Sequence, residues 1–297
     1  MAQGILMLWL FIIPAVIYTS ILIYISGYLK KITPFTTTEA EALPPISVVI
    51  ACHNEEKNIT GLLDALAAQN FPQHLYEVII VDDNSSDATP VIVKGYKGIL
   101  NLNVLKNSGS GKKAALKGGV ENASFQLVVT TDADCRMGPA WLTSIAGFFR
   151  EHKPEMIICP VILEASDRLT GAFQQTEWAA LQGITAGTAA AGNPVLCNGA
   201  GMAFTRDAYM KHSGNLQNHL ASGDDIFFLH SLKRKKKEKI LWLQSQEAAV
   251  TTPAAPSLRS LINQRARWVS KSGSYRDPFT IFLAIVTFVT NVSLPFL

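Results

Sequence analysis

The stretch Phe125–Cys135, FQLVVTTDADC, is an apolar run rich in β-branched residues that ends in two carboxylates. Two earlier stretches have the same plan, Pro45–Asn54 (PISVVIACHN) and Tyr76–Ser86 (YEVIIVDDNSS). Each predicts a buried strand with polar residues at its carboxyl end, and a helical segment follows each one. Apolar strands that alternate with helices are typical of a mostly parallel sheet covered by helices on both faces. The sequence therefore predicts an α/β fold.

Two further runs, Asn101–Asn107 and Met156–Leu163, predict a third and a fifth strand in chain order. Helical segments lie between the strands, among them GKKAALKGGVENA after the third and PAWLTSIAGFFREH after the fourth. In open parallel sheets ligands bind outside the carboxyl ends of the strands. The polar residues that end these strands therefore indicate the position of a site.

Both ends of the chain are apolar. Gly4–Tyr28 carries no charged side chain, and at about 1.5 Å per residue it makes a helix of about 37 Å, enough to cross a bilayer. A signal peptide would need a basic leader and a cleavage site of small residues, which this stretch lacks. Phe279–Leu297 is a second uncharged run, just long enough to span, and its position after a basic segment favours a membrane span over a buried core helix. We expect the chain to be a fragment of a parent protein with further membrane helices.

The predicted organisation has four parts. These are an N-terminal transmembrane helix in residues 1–31, a catalytic domain in residues 44–256, an amphipathic interfacial helix in residues 257–276, and a C-terminal transmembrane helix in residues 279–297. Lys30 and Lys31 follow the first span, and Lys271 and Arg276 precede the second. Basic residues flank spans on the cytoplasmic side, so the sequence predicts an integral protein of the inner or plasma membrane with a cytoplasmic catalytic domain.

Charge and cysteine content exclude other classes. A net charge of +3 without a basic, aromatic surface pattern argues against nucleic-acid binding. The four cysteines are widely spaced and form no Cys-x-x-Cys pair, which favours reduced thiols over a disulfide framework or a zinc site.

Asp132 and Asp134 are the first candidates for chemistry. A tight turn at the end of their strand lets both carboxylates reach one hard cation such as Mg²⁺ or Mn²⁺, with positions left for phosphate oxygens. The alternative is a turn with a capping Asp. Their place at the mouth of a parallel sheet favours the metal site.

Asp82 and Asp83 end the second strand, and adjacent side chains point to opposite faces. We therefore expect one of them to face a ligand and the other to cap the following helix. Asn107–Ala115, NSGSGKKAA, lacks the glycine spacing of a phosphate-binding P-loop, although Lys112 can still reach a nucleotide.

Asp224 and Asp225 begin a helix in the stretch SGDDIFFLHSL. Acidic residues in a first helical turn complement the free amides and the helix dipole, so capping alone explains them. One of them acting as a general base is the alternative reading.

The motifs occur in a specific order: VVIACHNEE, VIIVDDNSSDAT, GKKAALKGG, TTDADC, NGAGMAF, SGDDIFFLHSL and QRARW. This succession resembles the family 2 glycosyltransferases, which have a GT-A (Rossmann-like) fold, over roughly Pro45–Trp268. It is similar in particular to the membrane-bound branch that includes cellulose, chitin, hyaluronan and poly-N-acetylglucosamine synthases.

The resemblance implies a role for each matching residue. The positions implied to bind the nucleotide-sugar are Ala51, Asn54, Glu55, Asp82 or Asp83, Lys112 and Asp132. Asp132 and Asp134 match the Asp-x-Asp that binds Mg²⁺ or Mn²⁺. Asp225 matches the catalytic base, and Asp224 stands where the family usually has Glu. Gln264, Arg267 and Trp268 match a Gln-x-x-Arg-Trp motif at the diphosphate and the acceptor.

The implied activity is an inverting, metal-dependent hexosyl- or N-acetylhexosaminyltransferase. It would use a nucleotide-sugar, with UDP favoured by the resemblance, and act at the lipid bilayer. A growing polysaccharide and a membrane lipid are both open as acceptors, and further synthase subunits are expected partners. The alternative is a catalytically silent, nucleotide-sugar-binding regulator or scaffold of a polysaccharide synthase.

Overall fold

The computed structural model describes residues 2–37, 42–165, 169–215 and 223–293. Across these residues the strands are β1 (Ile46–Cys52), β2 (Tyr76–Asp82), β3 (Leu102–Lys106), β4 (Leu127–Thr130), β5 (Arg136–Met137), β6 (Met156–Ile158), β7 (Val161–Glu164), β8 (Met202–Thr205), β9 (Ile240–Trp242) and β10 (Val250–Pro253). The helices are α1 (Ala2–Leu29), α2 (Ile59–Ala67), α3 (Thr89–Gly95), α4 (Lys112–Glu121), α5 (Trp141–His152), α6 (Leu169–Ala190), α7 (Arg206–His212), α8 (Asp224–Lys236), α9 (Leu258–Val269) and α10 (Pro278–Ser293). Ser222 of the SGDD stretch and residues 294–297 of the predicted second span lie outside the described residues.

The main sheet has the strand order β3-β2-β1-β4-β8-β6-β9. Four of its pairs are parallel, namely β1 with β2, β1 with β4, β2 with β3, and β6 with β9. Strand β8 runs antiparallel to both β4 and β6. The predicted mostly parallel sheet is therefore confirmed.

Helices cover both faces of this sheet, as predicted. Val48 and Ile50 of β1 pack in one core cluster with leucines of α2 and with Trp141 of α5. Val49, between them, belongs to a second cluster with α4 and with phenylalanines of α8. Successive side chains of a strand point to opposite faces. The near-continuous apolar runs of the strands supply both cores for this reason.

The predicted fifth strand, Met156–Leu163, is wrong as one element. It divides after Ile158 into β6, which belongs to the main sheet, and β7, which belongs to a smaller sheet of order β5-β10-β7. Pro160 lies at the division, and a proline has no N–H to continue a strand ladder. The fourth predicted strand is also shorter than expected, because its acidic end turns back where Cys135 N donates to Asp132 O at 3.1 Å.

Helix α6 has no counterpart among the predicted elements. It packs on α1, on β7 and on β9. Its apolar residues are scattered around the helix rather than gathered on one face, so the sequence carries no clear amphipathic period there.

The apolar ends of the chain pack against each other as helices α1 and α10. In the described part of the chain, one helix is long and apolar enough to cross a membrane, with a mean hydropathy of 1.8 over Ile12–Leu29. Only 6% of that window is buried. Helix α10 is a shorter apolar helix, joined to α8 by a buried ion pair in which Lys233 Nζ lies 2.8 Å from Asp277 Oδ2.

All four cysteines are free thiols, in agreement with the prediction. Burial raises the pKa of the Cys52, Cys135 and Cys159 thiols to about 12 and that of Cys197 well above its usual range. The thiolate is the reactive form of cysteine, so these side chains act as small apolar groups at neutral pH.

Candidate active site

The carboxyl ends of β1, β2 and β4 meet at one edge of the main sheet, where Cys52 is the register partner of Asp82. The residues that follow these strands enclose a cavity of ≈ 210 Å³, which we call the sheet-edge cavity. Its wall consists of Ala51, Cys52, His53, Glu55, Asp83, Lys112, Asp132, Ala133 and Asp134. The structure thus gathers most of the residues predicted to bind a nucleotide-sugar.

Asp83, rather than Asp82, faces this cavity. Its Oδ1 accepts hydrogen bonds from Asn107 Nδ2 at 2.7 Å and from Gly111 N at 3.2 Å, which fixes the loop before α4. Asp82 Oδ1 instead accepts from Ser85 N at 3.2 Å within the turn after β2. One carboxylate therefore faces a cavity, as expected, but the expected helix cap is wrong, because Asp82 bonds within the turn and the next helix, α3, begins with no side-chain cap.

Asn54 has a left-handed backbone with φ 56°, and its exposed side chain joins two loops. Its Oδ1 accepts from Ser86 N at 2.8 Å, and its own N–H donates to Ser85 Oγ at 3.0 Å. Asn54 is absent from the wall of the sheet-edge cavity, whereas its neighbour Glu55 is part of it. The contacts of Asn54 are those of a residue that supports the cavity from outside.

Lys112 is the first residue of α4 and points across the cavity to Asp132, to which its Nζ donates. Gly111 before it has φ +82°, a conformation that L side chains rarely adopt. Partial loss of water around Lys112 works against its charge, but Asp132, Asp224 and Asp225 together raise its pKa above the ordinary lysine value. The lysine is therefore a fixed positive charge in an acidic surrounding.

Asp132 and Asp134 both lie on the cavity wall, close to Glu55. Burial and then the charges of Asp132 and Glu55 raise the pKa of Asp134. Carboxylate oxygens are the ligands that Mg²⁺ and Mn²⁺ prefer, and a bound cation relieves the repulsion among such groups. The two aspartates therefore fit a divalent cation, although no group of three or more His, Cys, Asp or Glu forms a complete ligand set within the described residues.

A second cavity of ≈ 190 Å³, the Asp225 cavity, lies between α6, the start of α8 and the end of α9. Its wall consists of Trp178, Leu181, Gln182, Thr185, Leu196, Cys197, Asn198, Asp225, Ile226, Trp268, Lys271 and Tyr275. It is more apolar than the sheet-edge cavity, with one carboxylate and one ammonium group in its wall.

Asp225 is half-buried, and two backbone amides orient its carboxylate. Oδ2 accepts from Gly199 N at 3.1 Å, and Oδ1 accepts from Ile226 N at 2.8 Å. Asp224 beside it is buried, and burial followed by the charge of Asp225 raises its pKa. The predicted base is thus the carboxylate of the pair that faces a cavity.

Trp268 forms the wall of the Asp225 cavity opposite α8 and belongs to a stack of three side chains. Its ring centroid lies 6.0 Å from that of Trp178, and the Arg265 guanidinium lies 4.2 Å from its ring centroid on α9. Glu177 of α6 accepts hydrogen bonds from Arg265 Nε at 3.0 and 3.1 Å. This stack holds α9 against α6 beside Asp225.

Gln264 and Arg267 are placed differently from Trp268. Gln264 Oε1 accepts a hydrogen bond from Arg265 Nη1 at 2.9 Å, and Arg267 is exposed. Neither lines the sheet-edge cavity or the Asp225 cavity. Sequence reasoning missed Arg265, Glu177 and Trp178, and the paired opposite charges of Glu177 and Arg265 gave no signal because 88 residues separate them.

Lys112 interacts electrostatically with the carboxylates of both regions. It lies in the wall of the sheet-edge cavity, and the charges of Asp132, Asp224 and Asp225 all raise its pKa. A carboxylate pair of the kind that divalent cations prefer and an oriented, half-buried carboxylate are therefore both within electrostatic reach of one lysine.

Comparison with known proteins gives a family match. The family model described as Glycosyl transferase family 2 matches residues 47–214, more than half of the chain. Among curated relatives, the poly(ribitol-phosphate) beta-N-acetylglucosaminyltransferase TarS of Staphylococcus aureus (strain Mu50) is 35% identical over 114 residues, which are 38% of this chain and 20% of TarS. Beta-monoglucosyldiacylglycerol synthase of Trichormus variabilis is 28% identical over 240 residues, which are 79% of this chain and 50% of that protein. The chain thus spans half or less of the length of these relatives.

Solved structures share the fold at low identity. The structure of S. aureus TarS 1–349 in complex with UDP-GlcNAc has a TM-score of 0.54 and 20% identity, covering 73% of this chain and 60% of that one. The mannosyltransferase PcManGT from Pyrobaculum calidifontis, in complex with GDP-Man and Mn²⁺, has a TM-score of 0.68 and 18% identity, covering 96% of this chain and 81% of that one. The molecule therefore has a GT-A-like α/β fold.

Proposed function

Because the chain belongs to glycosyltransferase family 2, we propose that it transfers a hexosyl or N-acetylhexosaminyl group from a nucleotide-sugar to an acceptor hydroxyl, with inversion at the anomeric carbon. The predicted family is thereby confirmed, while the membrane-bound synthase branch stays a prediction. The observation that carries the proposal is the gathering of Glu55, Asp83, Lys112, Asp132 and Asp134 in the sheet-edge cavity, with Asp225 in the wall of a separate cavity.

The donor occupies the sheet-edge cavity in this proposal. Ala51, Glu55 and Asp83 surround the nucleoside, and Lys112 neutralises part of the diphosphate. Lysine binds phosphate as a point charge. The structures of TarS with UDP-GlcNAc and of PcManGT with GDP-Man support a nucleoside-diphosphate sugar as the donor class, and UDP is our choice for the nucleotide.

Asp132 and Asp134 would hold Mg²⁺ or Mn²⁺ beside the diphosphate. When bound, the cation supplies electrostatic stabilisation of the charge that develops on the departing nucleoside diphosphate. Lys112 adds a second positive charge at the same place, from the side of α4. The Mn²⁺ complex of PcManGT supports a divalent cation as part of this chemistry.

Asp225 is the general base of the proposed reaction. Its carboxylate takes the proton from the acceptor hydroxyl while that oxygen forms a bond to the anomeric carbon. The bond from this carbon to the diphosphate oxygen breaks, and its electron pair leaves with the nucleoside diphosphate. The hydrogen bonds from Gly199 N and Ile226 N keep the base oriented.

The proposed place of action is the cytoplasmic surface of a membrane. Only 6% of the apolar window of helix α1 is buried. The exposed apolar residues of α9, Leu258, Ile262 and Val269, follow one face of that helix beside exposed Arg259 and Arg267. A helix of this kind lies in the interface with its apolar side in the lipid. Trp268, on the inner side of α9, then faces an acceptor that arrives along the bilayer.

The experiment is release of nucleoside diphosphate from a panel of UDP- and GDP-sugars by the protein in lipid, with Mg²⁺ or Mn²⁺. Acceptors are added as lipids or as oligosaccharides. Asp225→Asn should reduce transfer by about 10²-fold or more, since a positioned base contributes about 10²–10⁴-fold. Asp207→Asn, an exposed acidic residue of α7, is the matched control and should keep full activity.

Two results contradict the proposal. Near-normal transfer by folded Asp225→Asn protein would show that Asp225 is not the general base. If the protein binds a UDP-sugar but transfers sugar to none of the acceptors, the result favours the alternative of a catalytically silent regulator.

A further inference from the structure

A third cavity, of ≈ 420 Å³, lies between the cytoplasmic end of α1, the outer face of α6 and strand β7, and we call it the α1–α6 cavity. Its volume falls within the about 300–1,000 Å³ that ligand pockets usually occupy. Its wall consists of Leu29, Pro160, Val161, Ile162, Leu163, Gln175, Trp178, Ala179, Gln182, Gly183, Ala186, Trp242 and Gln244.

This cavity adjoins the Asp225 cavity, because Trp178 and Gln182 form part of both walls. Trp178 is held in place by a hydrogen bond from its Nε1 to Val161 O at 2.6 Å, and Gln182 Oε1 accepts from Val161 N at 3.2 Å. Trp178 and Gln182 therefore form the boundary that the two cavities share.

The wall is mostly apolar, and each of its polar side chains makes a hydrogen bond within the protein. Gln175 Nε2 donates to Leu163 O at 3.3 Å, and Trp242 Nε1 donates to Gln244 Oε1 at 2.7 Å. Trp178 and Gln182 bond to Val161, and the other residues of the wall have no polar side-chain atom. A sugar chain on this wall would lose water from hydroxyl groups that find few partners, which costs free energy. An aliphatic chain has no such cost.

The position of the cavity matches that of a lipid tail. Leu29 ends the apolar helix α1, and Lys30 and Lys31 follow it directly, as residues do at the boundary between acyl chains and head groups. Ile162 is 49% exposed and Ala179 is also exposed, so the cavity opens to the outside of the fold at this level.

We infer that the acceptor is a lipid alcohol, whose apolar chain lies in the α1–α6 cavity and whose hydroxyl reaches Asp225 past Trp178 and Gln182. The inference rests on the proposed function and names its acceptor class. A hydroxyl needs the base because its proton must leave as the new carbon–oxygen bond forms. An ionised lipid phosphate needs no base and would face the carboxylate of Asp225, which repels it when ionised. The chemistry of the site thus favours a neutral lipid head.

The test uses the full chain in lipid and fills the cavity from its open side. Ala179→Phe places a ring in the α1–α6 cavity, whereas Ala180→Phe places the same ring on an exposed position of α6 outside its wall. The acceptors are a diacylglycerol, a polyprenyl phosphate and an oligosaccharide, each supplied separately. The readouts are the KM for the acceptor, the KM for the donor, and donor hydrolysis without acceptor.

We expect transfer to the diacylglycerol, with Ala179→Phe raising its KM by about tenfold or more, the scale of discrimination that an apolar pocket provides. The donor KM and hydrolysis without acceptor should stay unchanged, and Ala180→Phe should behave as the parent protein. A diacylglycerol with a diazirine in its acyl chain should also cross-link to α6 and β7, and Ala179→Phe should suppress the cross-link.

Equal behaviour of the two variants, or transfer to the oligosaccharide alone, overturns the lipid inference. Transfer to the polyprenyl phosphate alone would contradict the inference that the acceptor is an alcohol, but it would agree with a binding site for the lipid chain in the α1–α6 cavity. Absence of turnover with every acceptor contradicts the proposed function instead, and the cross-link then still decides whether the cavity holds an apolar chain.

Discussion

Lys112 interacts with three carboxylates. Its side chain is 43% exposed, its ammonium group pairs with Asp132, and the charges of Asp224 and Asp225 also raise its pKa. A surface ion pair of this exposure adds little stability by itself. The lysine is therefore better explained as a preformed cation for an anionic ligand than as a structural contact.

Replacing Lys112 by Met should weaken binding of UDP or a UDP-sugar by about tenfold, because a hydrogen bond to a charged group contributes about 1.5–3 kcal/mol. Titration calorimetry of the protein in detergent measures this affinity. Lys117→Met is the control, since Lys117 lies on the same helix in a surface pair with Glu121 at 3.7 Å. Equal affinity of the two variants would mean that Lys112 serves only to neutralise Asp132.

At the scale of elements, α4 is the helix that brings Lys112 to the sheet, and two adjacent glycines set how closely it packs. A Cβ on Gly119 would lie 2.3 Å from Val49 Cγ1 of β1. A Cβ on Gly118 would meet no atom within 4 Å. The helix therefore needs glycine at one position and only tolerates it at the next.

These neighbours should respond in opposite directions to the same substitution. Gly119→Ala should lower the free energy of unfolding by about 1–3 kcal/mol, because it forces β1 and α4 apart. Gly118→Ala should raise it by about 0.5–1 kcal/mol, since alanine loses less backbone entropy in a helix. Denaturant unfolding of the two variants in one detergent measures both changes, and a loss in Gly118→Ala would contradict the packing described here.

The elements that could be predicted from sequence are those whose pattern is local. Strands β1, β2 and β4 are continuous apolar runs with polar ends, so both their type and the position of the site follow from the residues themselves. Helix α6 was missed because its apolar residues lack a single face, and its role depends on distant partners in α1 and α9. The division of β6 from β7 at Pro160 was missed because the flanking residues are equally apolar.

The residues of the candidate site also divide into those that a local sequence motif predicts and those that depend on distant contacts. Asp83, Lys112, Asp132, Asp134 and Asp225 were expected from motifs, and all line one of the two cavities. The contacts of Glu177, Arg265 and Trp178 around Trp268 were not expected. They depend on how α6 and α9, two helices far apart in sequence, pack together. The motif pointed to Arg267, which the fold leaves exposed. The roles of the individual residues remain predictions.

At the scale of the whole molecule, α8 joins the site to the rest of the structure through buried histidines. His212 of α7 and Ser231 of α8 share a hydrogen bond of 2.8 Å, and His230 of α8 lies 3.3 Å from Thr280 of α10. Burial lowers the pKa of both imidazoles, and Lys235 and Lys211 lower that of His212 further. Both are neutral at pH 7 in the folded state.

Acid should therefore destabilise the fold through these residues. An unfolded histidine has a pKa of about 6.5. Because the folded-state pKa is lower, the stability contributed by His212 is present above about pH 6.5 and is lost as the pH falls through the folded value. The Tm measured from pH 8 to 5 should fall less in His212→Gln than in His74→Gln, an exposed control. Parallel curves for the two variants would rule out this contribution.

The sheet-edge cavity and the Asp225 cavity come from separate parts of the chain. The sheet-edge cavity uses residues between Ala51 and Asp134, and the Asp225 cavity uses residues between Trp178 and Tyr275. During synthesis on the ribosome the first group therefore emerges complete before the second begins. One edge of β4 stays unpaired until β8 has been synthesised, about 70 residues later. An unpaired edge strand is prone to aggregation. A pause in translation between these segments should accordingly be more harmful than one after β8 has emerged.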